Sequence, residues 1–377
     1  MTEPLFESFT VRSLTMRNRF VMSPMTREHS PQGVPGEDVA SYYERRAAGG
    51  VGLIVTEGVG IDHPCAVDTD WVPVMHGEAA LAGWRRVTDA VHAAGGKIIP
   101  QLWHQGVLYG ASARARRDHP GLRPSGLWGT PGVFSSPAEY VQRAVPATTP
   151  MTESQISDVI AAYARSARYA MDAGFDGIAI HGAHGYLIDT FFWSDTNRRT
   201  DRYGGDALAR ARFGTEVAQA IRAEIGEAPP ILFRFSQHKQ QDYRARFAET
   251  PDELGIMLGA LADAGVDVFD ASSRRFDSPV FEGSDLTLSG WARKLTAKPS
   301  MTVGGVGLNN WLQDTLKNRS ETQAIDNLDR VLQLFERGMF DLVAVGRALL
   351  NDPSWTQKAR SGTAFLPYDR ASLERLL

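Results

Sequence analysis

Residues 152–181, TESQISDVIAAYARSARYAMDAGFDGIAIH, contain the structural unit that decides the fold. Thr152 and Gln155 are spaced as in a helix capping box, and Gly174 is placed to end the helix that they begin. A short and nearly all-apolar strand follows at 177–181, as in a parallel sheet that is covered on both faces. The segment therefore predicts one helix–strand repeat of an α/β protein.

The same alternation of apolar runs and helical patterns recurs along the whole chain. Strands that alternate with helices form βαβ units, and eight such units favour a closed (β/α)8 TIM barrel over an open sheet. The predicted strands are 18–23, 51–56, 97–102, 177–181, 231–235, 266–271, 299–304 and 341–345. The predicted helices include 84–94, 152–173, 208–225, 251–264 and 327–337.

Three segments, at about 105–150, 182–207 and 306–326, are longer than simple connections require. Long segments inside a compact domain are usually functional, so we expect extended loops at the C-terminal mouth of the barrel. Surface decoration is the alternative for 306–326, which has a polar centre. A barrel with such insertions reaches 377 residues as one unit, so a single barrel domain over 1–377 is expected.

Composition and charge exclude several functional classes. The formal net charge of −4 gives no reason to expect nucleic acid or an anionic membrane as a partner. The chain has no apolar run of about 18 residues, and its acidic first ten residues do not resemble a signal peptide, so a cytoplasmic protein is expected. Cys65 is the only cysteine, which excludes a four-cysteine iron–sulfur cluster or zinc ribbon. We expect no metal.

The unusual polar residues follow the predicted strands. Chemistry in a TIM barrel takes place at the C-terminal ends of the strands, because the loops there converge on one mouth. The segments at these ends are SPMT at 23–26, EG at 57–58, QLWH at 101–104 and HGAHGY at 181–186. Arg234 lies inside the fifth strand, where a buried guanidinium is costly without an anionic partner. Arg234 therefore predicts a negatively charged or electron-rich ligand.

The last two predicted strands end in Gly304-Gly305 and Gly346-Arg347. These positions match the phosphate site of this fold, where backbone N–H groups face a dianion, and Arg347 could add a bidentate contact. No GxGxxG follows a strand, so a Rossmann dinucleotide domain is not expected.

With these residues in place, the chain resembles the old yellow enzyme family of FMN-dependent ene-reductases. The most specific part of the resemblance is HxxHxY followed by NxRTDxYGG. In family order, the matching segments are VMSPMTREHSPQGVPGEDVASYYERRAAGGVGLIVTEG at 21–58, QLWH at 101–104, HGAHGYLIDTFFWSDTNRRTDRYGG at 181–205 and VAVGRALLNDP at 343–353.

The resemblance implies a set of cofactor-binding residues. Thr26 would donate to flavin O4, and Arg234 would stabilise the negative charge of reduced flavin near N1 without having to titrate. The residues expected at FMN are Ser23, Pro24, Met25, Thr26, Gly58, Gln101 and Arg234, with Gly305, Gly346 and Arg347 at its phosphate.

The resemblance also implies catalytic residues and a reaction. NAD(P)H would be the reductant, and the substrate a small molecule with an electron-withdrawing group. His181 and His184 would bind the substrate carbonyl oxygen, where charge develops as in an oxyanion hole, and Tyr186 would protonate the α-carbon. Trp103 either covers the substrate or fills the barrel mouth. The resemblance leaves a homo-oligomer open.

Other functions remain compatible with the sequence. An FMN-dependent N-demethylase of a small amine could use the same scaffold, although an amine offers no oxyanion to the histidine pair. A flavin-free lyase or aldolase would need a lysine at a strand end, whereas Lys97 stands at a strand start. A non-catalytic flavin-binding protein is a third alternative. Arg274 and Arg275 either contact substrate or nicotinamide phosphate or are solvated, and the preference for NADH or NADPH is not determined.

Overall fold

The computed structural model describes residues 3–111, 113–133, 136–312 and 320–377. A short antiparallel hairpin, β1 (Phe9–Val11) and β2 (Leu14–Met16), precedes eight parallel strands that close into a barrel. Around the barrel the strands follow chain order, and the last strand pairs with the first. They are β3 (Phe20–Met22), β4 (Leu53–Gly60), β5 (Ile98–Trp103), β6 (Ile178–His181), β7 (Ile231–Phe235), β8 (Val268–Ser272), β9 (Ser300–Val303) and β10 (Leu342–Val345).

Helices alternate with these strands, and the predicted (β/α)8 barrel is confirmed. The described helices are α1 (Glu37–Ala48), α2 (Glu78–Ala93), α3 (Ala138–Ala144), α4 (Glu153–Asp172), α5 (Leu187–Phe192), α6 (Ala207–Ile225), α7 (Pro251–Asp263), α8 (Leu288–Thr296), α9 (Leu328–Glu336), α10 (Arg347–Asn351) and α11 (Trp355–Ser361). None of these helices combines the length and the apolar character that crossing a bilayer requires.

The helix that opened the sequence analysis shows why the repeat forms. Thr152 and Gln155 form the predicted capping box, with the Gln155 N–H donating to Thr152 Oγ1 at 3.2 Å and the Thr152 N–H donating to Gln155 Oε1 at 2.9 Å. Gly174 follows α4 with a φ of +87°, a conformation that glycine adopts without strain. The chain then turns directly into β6.

The core has two apolar layers, and successive strand residues alternate between them. Phe20 and Met22 belong to the outer layer beneath the helices, whereas Val21 belongs to the inner layer within the barrel. Leu14 and Met16 of the hairpin join the inner layer, together with residues from all eight barrel strands. The hairpin, which the sequence analysis did not predict, therefore packs against the barrel interior.

The three long segments have different structures. Segment 105–150 contains α3, whose Tyr140 hydroxyl donates to the carbonyl oxygens of Val107 and Tyr109. Segment 182–207 contains α5 and is therefore not a plain loop. In segment 306–326, residues 313–319 lie outside the described residues, and Leu308 forms a bridge to Ala324. The organisation as a single domain stays a prediction.

Candidate active site

A cavity of about 380 Å³ lies at the C-terminal ends of the barrel strands. The closed barrel brings these ends to one mouth, so side chains far apart in sequence share this cavity. The sequence-predicted residues that line it are Pro24, Met25, Thr26, Gly58, Gln101, Trp103, His181, His184, Tyr186, Arg234 and Arg347. Arg27, Leu312, Leu350 and Leu373, which were not predicted, also line it.

His181, the last residue of β6, is positioned as a hydrogen-bond donor. Its Nδ1 accepts the backbone N–H of Ala183 at 3.3 Å. Burial, reinforced by the positive charge of Arg234, holds the pKa of His181 well below its ordinary value. A neutral imidazole whose Nδ1 is an acceptor carries its proton on Nε2. His181 therefore has one N–H to offer, and it is on the ring nitrogen that Ala183 does not occupy.

His184 is held in an unusual backbone conformation beside His181. Its φ is +65°, in the left-handed region, and its ring centroid lies 5.1 Å from that of His181. The His184 backbone N–H donates to Ser236 Oγ at 3.0 Å, and its Nε2 lies 2.8 Å from Ser272 Oγ. Burial is the main cause that lowers the pKa of His184 well below its ordinary value. Both imidazoles are therefore neutral near pH 7.

Residues 238–241, which we call the strap, fasten the loop that carries His184. The Gln240 N–H donates to the His184 carbonyl oxygen at 3.1 Å, and Gln241 Nε2 donates to the Gly185 carbonyl oxygen at 3.0 Å. Lys239 forms an ion pair with Asp189 at 2.7 Å, and both side chains are 0% exposed. The other oxygen of Asp189 accepts the Gly185 N–H at 2.6 Å. Asp189 thus connects the strap, through Lys239, to the loop after β6, through Gly185.

Tyr186 stands above the histidines with its hydroxyl oriented by the strap. Its ring makes edge contacts with Trp103 and His181, at centroid distances of 4.9 and 4.8 Å. Gln240 Nε2 donates to the Tyr186 hydroxyl oxygen at 2.7 Å, and burial raises the pKa of Tyr186. The tyrosine stays protonated, and because Gln240 occupies a lone pair, the O–H remains available to donate elsewhere.

The reasoning that assigned a ligand as the charge partner of Arg234 needs correction. Arg234 Nε lies 2.5 Å from Asp270 Oδ2, and both side chains are about 5% exposed or less. Arg234 and Asp270 are directly paired across β7 and β8, so the register of the sheet creates this contact. Arg234 Nη2 also donates to Ser23 Oγ at 3.1 Å. Arg234 lines the cavity, but its burial by itself does not require an anionic ligand.

The polar edge of the cavity has an unsatisfied donor. Gln101 Nε2 is buried and makes no hydrogen bond to any described residue. Such groups are uncommon in folded proteins and mark a place where a ligand atom can accept. Gly58 is also required, because a Cβ there would lie 2.5 Å from the Trp103 ring. Glu57 Oε2 accepts the N–H groups of Arg27 and Glu28 at 2.8 and 3.2 Å, which holds the segment after β3.

A second cavity of about 340 Å³ contains the predicted phosphate residues Gly305, Gly346 and Arg347. Met25, His184 and Arg347 line both cavities, so the two are continuous. Gly304 has a φ of +125°, and a Cβ there would lie 2.5 Å from the Ser273 carbonyl oxygen. A Cβ at Gly305 would meet only the Leu308 carbonyl oxygen, at 3.8 Å, so this backbone faces open space.

Taken together, these residues fit FMN. The unsatisfied Gln101 amide and Arg234 suit a polar ring edge, and the glycines with Arg347 suit a phosphate. Ser23 is the one predicted cofactor residue that lines neither cavity. Its hydroxyl accepts from Arg234 instead, so Ser23 acts by orienting that guanidinium.

A separate cluster brings His63, Cys65 and His104 together, with their potential ligand atoms within 4.8 Å of one another. His104 Nδ1 accepts the Gly106 N–H at 3.1 Å, so a neutral His104 carries its proton on Nε2. That nitrogen lies 3.3 Å from His63 Nδ1, a distance that fits a hydrogen bond. Metal-bound histidines donate from the other ring nitrogen, the reverse of this arrangement. The prediction of no metal stays a prediction.

The sequence also matches a known family. A family model described as the NADH:flavin oxidoreductase / NADH oxidase family matches residues 4–365. The chain belongs to this family. The predicted recognition as an old yellow enzyme and the predicted FMN cofactor with NAD(P)H are confirmed at the level of the family. The FMN-dependent enzyme class is confirmed at the same level.

Three individual proteins illustrate the similarity. A NADH oxidase of Thermoanaerobacter brockii is 32% identical over 369 residues, which are 95% of this chain and 51% of that protein. A chanoclavine-I aldehyde reductase of Penicillium roqueforti is 32% identical over 382 residues, 98% of this chain and 92% of that protein. Among solved structures, morphinone reductase in complex with tetrahydroNAD has 26% sequence identity to this chain and a TM-score of 0.78. The match covers 98% of this chain and 93% of that protein. The chain spans about half the length of the Thermoanaerobacter brockii NADH oxidase.

Sequence reasoning also missed three residues that hold the site residues in place. Asp270 was missed although it lies in a predicted strand, and Gln240 and Lys239 were missed although they belong to a polar run, SQHKQQD, directly after the fifth strand.

Lys97 precedes β5 and pairs with Asp176, so it lies at the end of the barrel away from the cavity.

Proposed function

We propose that this flavin oxidoreductase is an ene-reductase, which reduces the C=C bond of an enone, enal or nitroalkene at the expense of NAD(P)H. FMN, held by the residues described above, would supply the hydride chemistry that links NAD(P)H to the β-carbon of the alkene. The observation that carries the proposal is the state of His181, a neutral imidazole whose free N–H is on the nitrogen that Ala183 does not occupy.

His181 and His184 suit the binding of a substrate oxygen that gains negative charge. Neutral N–H donors held by the fold stabilise such an oxygen without releasing a proton to it, and each well-placed donor contributes roughly 3 kcal/mol in a dry site. His184 Nε2 contacts Ser272 Oγ, so the donor to the substrate would be Nδ1, and Ser236 and the strap fix the backbone that carries this ring.

Tyr186 suits the role of proton donor to the α-carbon. Its raised pKa keeps it protonated, and Gln240 holds the hydroxyl so that the proton can leave on the side away from the strap. The edge contact with Trp103 fixes the ring, and Trp103 would form the adjacent wall of the substrate pocket.

The cofactor roles are part of the same proposal. Pro24, Met25 and Thr26 would lie along the flavin ring, and Gly58, Gln101 and Arg234 would contact its polar edge. Gly305, Gly346 and Arg347 would bind the phosphate. The two aligned reductases named above support a reductive role. A cytoplasmic location and a homo-oligomer stay predictions.

The alternative, oxidative N-demethylation, would give the two neutral imidazole donors no developing negative charge to stabilise. To test the proposal, the holoenzyme is reduced anaerobically with one equivalent of NADPH and then mixed with cyclohexenone or with an N-methyl amino acid. The proposal expects rapid reoxidation by the enone. If the oxidised enzyme is instead reduced by the N-methyl amine, and the reduced enzyme ignores enones and nitroalkenes, the demethylase reading replaces it.

A further inference from the structure

A third cavity, of about 490 Å³, adjoins the site and is strongly basic. We call it the arginine cavity, because Arg244, Arg246, Arg274 and Arg275 line it and no carboxylate is among its described lining residues. It shares His238, Tyr243, Ser273, Arg274 and Trp311 with the cavity that contains His184 and the phosphate glycines. A ligand bound at the histidine pair can therefore extend into it.

Arg274 stands where the two cavities meet, and one nitrogen of its guanidinium is not satisfied. It packs on the rings of Tyr243 and Trp311, with its central carbon 4.2 and 5.2 Å from their centroids. Its Nη2 is buried and makes no hydrogen bond to any described residue. A buried charged donor in this condition is destabilising, and an acceptor from a ligand would remove the cost.

The acids near the arginine cavity do not neutralise it. Arg275 pairs with Asp277 at 3.2 Å, but Asp277 Oδ2 also lies 4.0 Å from Arg330. Asp242 accepts the backbone N–H of Arg244. Its negative charge affects the pKa of Arg274 less than burial does, and burial lowers that pKa. Arg244 and Arg246 are exposed, and the Arg246 guanidinium donates to the Val280 carbonyl oxygen. The cavity thus keeps a net positive charge.

We propose that the arginine cavity binds the phosphate groups of the nicotinamide dinucleotide and makes the enzyme selective for NADPH. Guanidinium groups bind phosphate oxygens through paired, charge-assisted hydrogen bonds. Arg274 would contact the phosphate nearer the nicotinamide, and Arg244 and Arg246, which line the arginine cavity but not the cavity of His184, would contact the 2′-phosphate. The 2′-phosphate carries negative charge that NADH lacks. Four arginines also provide more positive charge than a substrate with a single carboxylate would neutralise. The inference rests on the proposed function, since it assumes that NAD(P)H reaches the same mouth.

The test compares wild type with Arg244→Gln/Arg246→Gln. The control is Arg165→Gln/Arg168→Gln, which removes the same charge from exposed positions on α4. Calorimetry with the holoenzyme measures binding of adenosine 2′,5′-bisphosphate and of 5′-AMP. Anaerobic stopped flow measures flavin reduction by NADPH and NADH at low concentration. We expect roughly a tenfold loss of the NADPH-over-NADH rate ratio, with a parallel loss of bisphosphate affinity, in the cavity variant only.

A second arm separates the two sources of an anion. Pre-reduced enzyme is mixed with a cyclohexenone that carries a carboxylate, or with its methyl ester. If the cavity variant loses its rate with the carboxylate alone, while bisphosphate affinity and the NADPH ratio stay at wild-type values, an anionic substrate occupies the cavity and the dinucleotide assignment is overturned. Unchanged values in every arm overturn it too. If no enone reoxidises the enzyme but the bisphosphate results hold, the proposed function fails and the NADPH site stands.

Discussion

At the scale of single residues, the site depends on the ionisation states that burial sets. Burial lowers the pKa of His181 and raises that of Tyr186, so the imidazole is neutral and the phenol protonated over the physiological range. Each group is then oriented by a hydrogen bond from a backbone or an amide, Ala183 for His181 and Gln240 for Tyr186. The site needs no change of ionisation before it can act.

Tyr186→Phe should separate the two halves of the reaction. Removing the hydroxyl takes away the proton donor and leaves the ring contact with Trp103, so we expect flavin reduction by NADPH to be nearly unchanged. Reoxidation by cyclohexenone should slow by roughly 10²-fold, the low end for general acid catalysis. Single-turnover stopped flow measures both rates, and an equal fall in the two would rule out the proton-donor role.

Glu57→Gln should change how stability depends on pH. Burial raises the pKa of the Glu57 carboxyl from 4.5 to about 7. Between these pH values the folded chain keeps a proton that the unfolded chain releases, so the free energy of unfolding falls as pH rises through the interval, by up to about 3 kcal/mol. The variant keeps an oxygen for the Arg27 and Glu28 N–H groups and lacks this fall.

Urea unfolding at pH 5 and pH 8 measures the difference, with Glu44→Gln, at an exposed position on α1, as the control. We expect Glu57→Gln to gain stability relative to wild type at pH 8 and to gain none at pH 5. An identical gain at both pH values would mean that the carboxyl is ionised throughout.

At the scale of elements, the strap after β7 determines the shape of the loop after β6. Its bridge to His184 and the buried Lys239–Asp189 pair join two neighbouring βα loops, and Gln240 of the same strap reaches Tyr186. Two of the three proposed catalytic side chains thus depend on a segment that does not carry them. We regard residues 239 and 240 as positioning residues.

Lys239→Met should therefore damage both stability and the site. Leaving Asp189 buried and unpaired costs on the order of 3–5 kcal/mol. We expect the urea midpoint to fall. We also expect weaker affinity for a phenol, whose oxygen mimics the charged substrate oxygen and whose binding is followed through the flavin absorbance. Asp189→Asn/Lys239→Met removes the charge and keeps an acceptor for the Gly185 N–H, so it should recover much of the stability. If the double variant is no better than the single one, packing rather than charge holds the strap.

At the scale of the whole molecule, the two ends of the barrel have separate functions. The hairpin packs Leu14 and Met16 against the inner layer, while the three cavities lie together around the C-terminal ends of the strands and the loops that follow them. We therefore expect that stability at one end and chemistry at the other can be changed independently.

Met16→Ala tests this separation. Met16 is 0% exposed, and truncating a buried methionine to alanine typically costs about 2–5 kcal/mol. We expect a lower melting temperature and an unchanged rate of enone reduction per bound flavin. Thr15→Ala, at the exposed neighbouring position, is the matched control and should alter neither. A fall in turnover per flavin in Met16→Ala would show that the two ends are coupled.

The sequence by itself determined the barrel and the strand ends that carry the site. Short apolar runs between capped helices specify parallel strands, and parallel strands in a closed barrel must present their C-terminal ends together. His181, Tyr186, Gln101 and Arg234 could therefore be assigned to one mouth before any coordinate was known. Local signals such as the capping box of Thr152 and Gln155 were sufficient, because each acts over a few residues.

The tertiary structure alone decided which side chains meet across the mouth. Asp270 is 36 residues from Arg234, and Gln240 is 54 residues from Tyr186, so no local pattern links them. Their contacts depend on the register between neighbouring strands and on the path of each loop over the mouth. The arginine cavity has the same origin, because it combines residues that follow three different strands, β7, β8 and β9. Strand periodicity repeats along the chain and can be predicted, whereas a loop path is set by packing against the other loops.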